Sequence, residues 1–264
     1  MDNNSFQNYK YQCKLFLSIS NHFIGCNTLL FSYSPGFQEL YILTEIEQKS
    51  FLLKFMFTKY AKIKAKFNFI GTDCRSIIND NNVVLFSKQK SFRIVASFFG
   101  IYHMYNHHYT NDDDKGKCNL KKNSVAIESL SQKANILLGF SEKTVACVYR
   151  YDRWNKKLFL EIDDEFKKES LYLVLFDCVE LEFYPEQNFK LSRTKLYKDN
   201  QTIVFEEIDH KFSANFGYYE MWNQEKFFEY DMNLYSLYGL EKGSGTKELV
   251  RSVEDFENIL LSEK

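Results

Sequence analysis

Hydrophobic and polar residues alternate with a period of two along much of this chain. In "KIKAKFNFIG" (62–71), Ile63, Ala65, Phe67 and Phe69 point one way, and Lys62, Lys64, Lys66 and Asn68 point the other. Alternation over that length marks a strand with one buried and one wetted face. "CVELEFYP" (178–185) repeats it, with Val179, Leu181 and Phe183 opposed to Glu180, Glu182 and Tyr184. "KLFLEI" (157–162) places Leu158, Leu160 and Ile162 inward. Further strands are expected at 12–19, 23–33, 39–46, 50–58, 82–87, 92–102, 124–129, 144–150, 170–177, 201–207 and 227–236.

Clusters of Asn, Asp, Lys or Gly separate many of these segments, as at 79–82, 151–155, 162–169 and 197–201. Short strands joined by turn-forming residues build antiparallel sheets, here a sandwich or two small β units. Long helices between strands are scarce, which argues against a doubly wound parallel fold. One helical pattern stands out at 246–264, where Leu249, Val253, Phe256 and Leu260 form a stripe widened by Val250 and Ile259. Thr246 or Ser244 is its expected cap, Glu248 suits its first turn, and its apolar stripe should pack on a sheet. Shorter helices at 73–79 and 129–136 are secondary expectations. The stretch 106–123, "NHHYTNDDDKGKCNLKKN", is almost free of apolar residues. It reads as a polar linker or long loop between a β region at 1–105 and another at 124–264, with a single sandwich as the alternative.

Composition narrows the class. An apolar fraction of 45% with 26 Phe and 18 Tyr is ample for a filled core and argues against disorder. Net charge is −1, from 34 basic and 35 acidic residues, which argues against nucleic acid as the partner. The polar N-terminus lacks a secretory pattern, and no apolar run approaches the ~20 residues that a membrane span needs. Six cysteines (Cys13, Cys26, Cys74, Cys118, Cys147, Cys178) occur without a C-x-x-C pair, as expected of thiols in a reducing, cytoplasmic setting.

The candidate chemistry is sparse. His103, His107 and His108 precede Asp112, Asp113 and Asp114, which suggests a metal site of a hydrolase. On a strand, however, His103 and His107 would sit ~13 Å apart, and the aspartates lack the alternate spacing of a calcium loop. A solvated loop accounts for the same residues. The turn "GLEKGSGTKE" (239–248) resembles a phosphate-binding helix start but lacks P-loop spacing. Glu206, Glu207, Asp209 and His210, and separately Asp163, Asp164 and Glu165, are acid/base candidates that charged turns explain equally well. Cys147 and Cys178 lie in apolar strands, where thiols are inert. The Lys62, Lys64 and Lys66 face suits phosphate contact, but Phe67 and Phe69 point away from it.

The strongest surface signal is "FGYYEMWNQEKFFEYDMNLYSLYG" (216–239), with nine aromatic residues. In strands, alternate residues face outward, so Tyr218, Tyr219, Trp222 and Tyr235 are candidate anchors for a protein partner. The sequence therefore points to a cytoplasmic, non-enzymatic protein-binding module of immunity, inhibitor or accessory type. It assigns no catalytic, cofactor or metal residue. The metal-dependent hydrolase is the alternative.

Overall fold

The computed structural model describes residues 3–34, 38–69, 72–77, 82–87, 92–104, 142–152, 156–163, 170–185, 187–199, 202–230 and 247–262. The fold is built around one ribbon. β3 (Lys49–Lys64) and β7 (Phe92–Met104) pair antiparallel from Ser50↔Met104 to Ile63↔Phe92. A straight strand of β3's length would run about 50 Å, so the ribbon must bend to wrap a core. Its register slips by one residue between Thr58 and Tyr60, and Phe57 takes a φ of 50°. An extra residue of this kind bends a strand and lets it pass from one sheet to another.

Each ribbon strand changes neighbours across the bend. The first half of β3 pairs with β2 (Glu39–Ile46), and its last residues pair with β11 (Glu180–Phe183). β7 pairs early with β6 (Asn82–Ser87) and late with β17 (Lys247–Leu249). All strands join in one sheet, and from β2 one arm of it continues through β1 (Asn27–Ser34), β8 (Val145–Asp152), β9 (Lys157–Asp163), β10 (Leu171–Phe176) and β16 (Tyr218–Asn223). From β11 the other continues through β15 (Phe212–Phe216), β14 (Thr202–Glu207) and β13 (Thr194–Asp199), while β5 (Thr72–Ile77) borders β6. The short β4 (Lys66–Asn68) and β12 (Phe189–Lys190) pair with β1 and β8. All these pairings are antiparallel, as the alternation indicated, and several join segments on opposite sides of 106–123. That stretch and the expected elements at 124–129 and 129–136 lie outside the described residues.

Both arms bury their inner faces in one core, with Leu53, Ile101 and Leu160 from the first and Ile63, Leu85 and Phe205 from the second. Fully burying one such side chain contributes about 1.5–3 kcal/mol. The end of the core is closed by α1 (Asn3–Ile19) and by the C-terminal helix. Phe16 of α1 meets Phe23 at 5.0 Å and Phe99 at 5.6 Å, and Phe256 of the last helix meets Phe51 at 5.0 Å. Gln12, buried on α1, ties three segments together. Its amide donates to the Val250 carbonyl at 2.8 Å and accepts the Ile101 N–H at 3.0 Å, while Val250 N–H reaches the Ile101 carbonyl at 2.9 Å.

Several expectations need correction. Residues 12–19 are helical, because Gln12, Cys13, Phe16 and Ile19 also satisfy helical spacing, and Leu17, inward in a strand, is exposed. The helix expected at 73–79 is a strand over its described part: 72–77 form β5, whose register with β6 runs from Thr72↔Ser87 to Ile77↔Asn82. Residues 224–230 are helical, where a strand was expected from 227. The C-terminal helix starts at Val253, not near 246. Ser252 caps it by accepting Asp255 N–H at 2.9 Å, and 247–249 join the sheet edge beside β7 instead. Val179 is exposed, because its N–H goes to Asn215 and its carbonyl takes the Ala65 N–H in an irregular step before β11.

Replacing Gln12 by Leu leaves an N–H and a carbonyl in the core without their partner, and should lower unfolding free energy by about 2–4 kcal/mol. Ser252→Ala removes one half-buried cap bond and should cost about 1 kcal/mol. Urea melts of the two variants check both values and their order.

Candidate protein-binding surface

The strands β8, β9, β10 and β16 carry their second buried layer on the face turned away from the main core. Register sets its rows. Asp152 lies opposite Lys157, and Phe176 opposite Tyr218. Val174 stands between Phe159 and Glu220, and Tyr172 between Glu161 and Trp222. Leu158, Leu160, Leu173 and Leu175 alternate with these and face the main core. This explains why "KLFLEI" and "LYLVLF" read as near-continuous apolar runs: both faces of these strands are covered.

The cover on the outer side is the helix 224–230, here α2. Asn223 ends β16 and starts α2 by accepting the Lys226 N–H on its side-chain oxygen at 2.9 Å. Spacing of three then puts Phe227 and Tyr230 on one face. The Phe227 ring stacks on Tyr172 at 4.1 Å and 16°, and meets Phe159 edge-on at 5.3 Å. Tyr230 lies 5.3 Å from Trp222 and 5.6 Å from Phe159. The result is a second aromatic core of Phe159, Tyr172, Val174, Phe176, Trp222 and Phe227.

A lysine sits inside it. Lys157 is 3% exposed, and its ammonium lies 4.0 Å from the Tyr230 ring centre, 5.0 Å from Phe176 and 5.4 Å from Trp222. Aromatic faces attract a cation most strongly where water is excluded. Asp152, also buried, accepts the Tyr230 hydroxyl proton. At the margin Glu220 accepts the Trp222 indole N–H at 2.6 Å and the Lys226 ammonium at 3.1 Å, and Lys226 stands 4.6 Å over the Trp222 ring. Burial would push the Glu220 carboxyl up, but the bonds from Trp222 and Lys226, with the charges of Lys226 and Lys157, hold it below its ordinary value.

The four expected anchors are therefore divided. Tyr218 is on this face, stacked on Phe176 at 4.3 Å and 8°, and is 42% exposed. Trp222 is on the same face but buried under α2. Tyr219 points to the main core beside Phe216, and burial pushes its phenol up to about 12. Tyr235 lies outside the described residues. Phe228, 49% exposed on the back of α2, joins Tyr218 as an exposed aromatic. The Asn223 cap and the three-residue spacing of Phe227 and Tyr230 were readable signals for α2. Nothing local marks Lys157 or Asp152, which meet through strand pairing.

Among the described residues the remaining candidates do not converge. His103 is buried on β7 against Phe51, with Glu248 opposite it on β17. Burial and the Lys49 charge lower its pKa, and Glu248 opposes them. His107, His108 and Asp112–Asp114 lie outside the described residues, as do Asp164 and Glu165. Glu207 is buried and accepts the Lys211 N–H, Glu206 accepts the Tyr197 hydroxyl, and Asp209 pairs with Arg193. Burial pushes the Cys147 thiol up to about 11, with Glu161 and Asp163 adding to it, and raises Cys178 further. Lys62 and Lys64 stand opposite Glu182 and Glu180, and Lys62 pairs with Glu182 at 2.7 Å, so this lysine face is charge-compensated. Gly243 and Gly245 do not open the C-terminal helix, whose first turn begins at Val253. Among the described residues no three His, Cys, Asp or Glu side chains form a metal-holding group, and no helix is long and apolar enough to cross a membrane. No protein-family model, curated protein or solved structure matches this chain.

The depressed Glu220 carboxyl has a pH signature. A group whose folded pKa lies below its unfolded one stabilises above the unfolded value and loses that contribution as pH falls through the folded value. Trp222 emission should hold steady down to the ordinary carboxyl value of 4.5 and change below it. Glu220→Gln should remove that step, as a fluorescence titration of both proteins will show.

Proposed function

We propose that this chain is an intracellular, non-enzymatic protein-binding module that presents the outer face of β8–β9–β10–β16 and α2 to its partner. One observation carries the reading: Tyr218 is held flat against Phe176 yet remains 42% exposed. A ring already fixed in orientation loses little entropy on binding, and such aromatics are typical energetic anchors. Phe228 adds a second large apolar side chain on the same side of the sheet. The raised thiols of Cys147 and Cys178 suit packing better than nucleophilic attack. Free thiols at Cys13, Cys147 and Cys178 are in keeping with a reducing compartment.

Affinity capture from the native host, with wild type, Tyr218→Ala and Phe228→Ala in parallel, tests this. Each variant should recover at least about tenfold less of a partner that wild type enriches, as expected of an anchor residue, while its melting curve stays close to wild type. Equal recovery by all three proteins would move the binding surface elsewhere.

A further inference from the structure

The face assigned to the partner is itself occupied by a segment of this chain. α2 lies across it through Lys226 over Trp222, Phe227 on Tyr172 and Tyr230 between Phe159 and Trp222. Within 224–230 these are the contacts that hold the helix on the sheet. The innermost contact is polar: Tyr230 donates to Asp152, with the Lys157 ammonium under its ring. Apolar side chains of similar size would hold a permanent lid at least as well, because buried charges must recover their desolvation cost. A charged latch instead gives one defined closed position that is lost as a unit when Tyr230 leaves.

We propose that α2 is a displaceable strap, closed by the Lys157–Asp152–Tyr230 latch. Its place is taken by a partner helix with the strap's own pattern, a basic residue followed by aromatic residues three apart. The occupant's chemistry is read from the strap, whose Lys226, Phe227 and Tyr230 already show what fits Trp222, Tyr172 and the Asp152–Lys157 pocket. The inference rests on the reading of this face as a protein-binding surface and adds its regulation and the shape of its partner. Tyr218 and Phe228 then serve as exposed first contacts, and the covered rings as the site that binding opens.

Two measurements on the purified full chain test it without a cellular partner, so they report on the strap whatever host capture yields. In Tyr230→Phe, which removes one hydroxyl, backbone amides of 224–230 should exchange with deuterium about tenfold faster, while those of β9 and β10 keep wild-type rates. Unchanged strap exchange, or equal acceleration through the whole sheet, would overturn the latch. In the second arm a helix-stapled peptide of residues 222–230 is titrated against wild type and a Phe227→Ala/Tyr230→Ala double variant. It should saturate the double variant and bind wild type at least tenfold more weakly. Equal affinity for both, or no binding to the opened protein, would overturn displacement. Circular dichroism confirms folding of the double variant, and Tyr230→Phe replaces it in the peptide arm if it does not fold.

Discussion

Everything in this fold hangs on a long antiparallel ribbon that must serve two arms of one large sheet. β3 and β7 are too long to stay straight against a core, and the one-residue slip near Phe57–Tyr60 lets them turn. A bulky residue at positive φ costs on the order of 1 kcal/mol or more. The backbone bond from Thr58 N–H to the Gln38 carbonyl and the ring contact between Phe57 and Phe98 help to hold it there. With the bend in place, β2 leaves β3 on one side of it and β11 joins on the other. The arm that continues through β1 then delivers β8, β9, β10 and β16.

The two arms meet their surroundings differently. Where β3 crosses to β11, the outward residues are Lys62 and Lys64 against Glu182 and Glu180, a compensated, wetted face. On β8–β9–β10–β16 the outward residues are large and aromatic, and leaving them in water would be costly. The chain covers them with α2, whose Tyr230 donates to Asp152 of β8 and lies over the Lys157 ammonium of β9. The proposed binding role rests on this covered aromatic face and on the exposed Tyr218 and Phe228.

Much of the fold was legible because alternation is a local property. β2, β6, β9 and most of β7 follow directly from it, and the antiparallel, mainly β class follows from their number and their turns. It failed where two periods fit the same residues. Cys13, Leu15 and Ile19 satisfy a strand, but Gln12, Cys13, Phe16 and Ile19 satisfy a helix, and the burial of Gln12 and Phe16 with the exposure of Leu17 separates the two. The 216–239 run was legible as aromatic but not as two layers. Tyr218 and Tyr219 are neighbours in sequence that face opposite sides of β16, and Trp222 is covered by Lys226 and Tyr230, which follow it on the next two turns of helix.

The amino-acid sequence by itself determined the class of the protein, the period of its main strands, its balanced charge and the segment that carries its aromatic face. Those are properties of composition and short spacing, where each residue reports its own preference. Tertiary structure alone decided which strands pair, where the ribbon bends and how β8–β9–β10–β16 acquires a second core. It alone brought Asp152, Lys157 and Tyr230 together, because the latch joins a hairpin to a helix more than seventy residues later. No local pattern encodes that meeting: register places Asp152 beside Lys157, and the Asn223 cap aims Tyr230 at them.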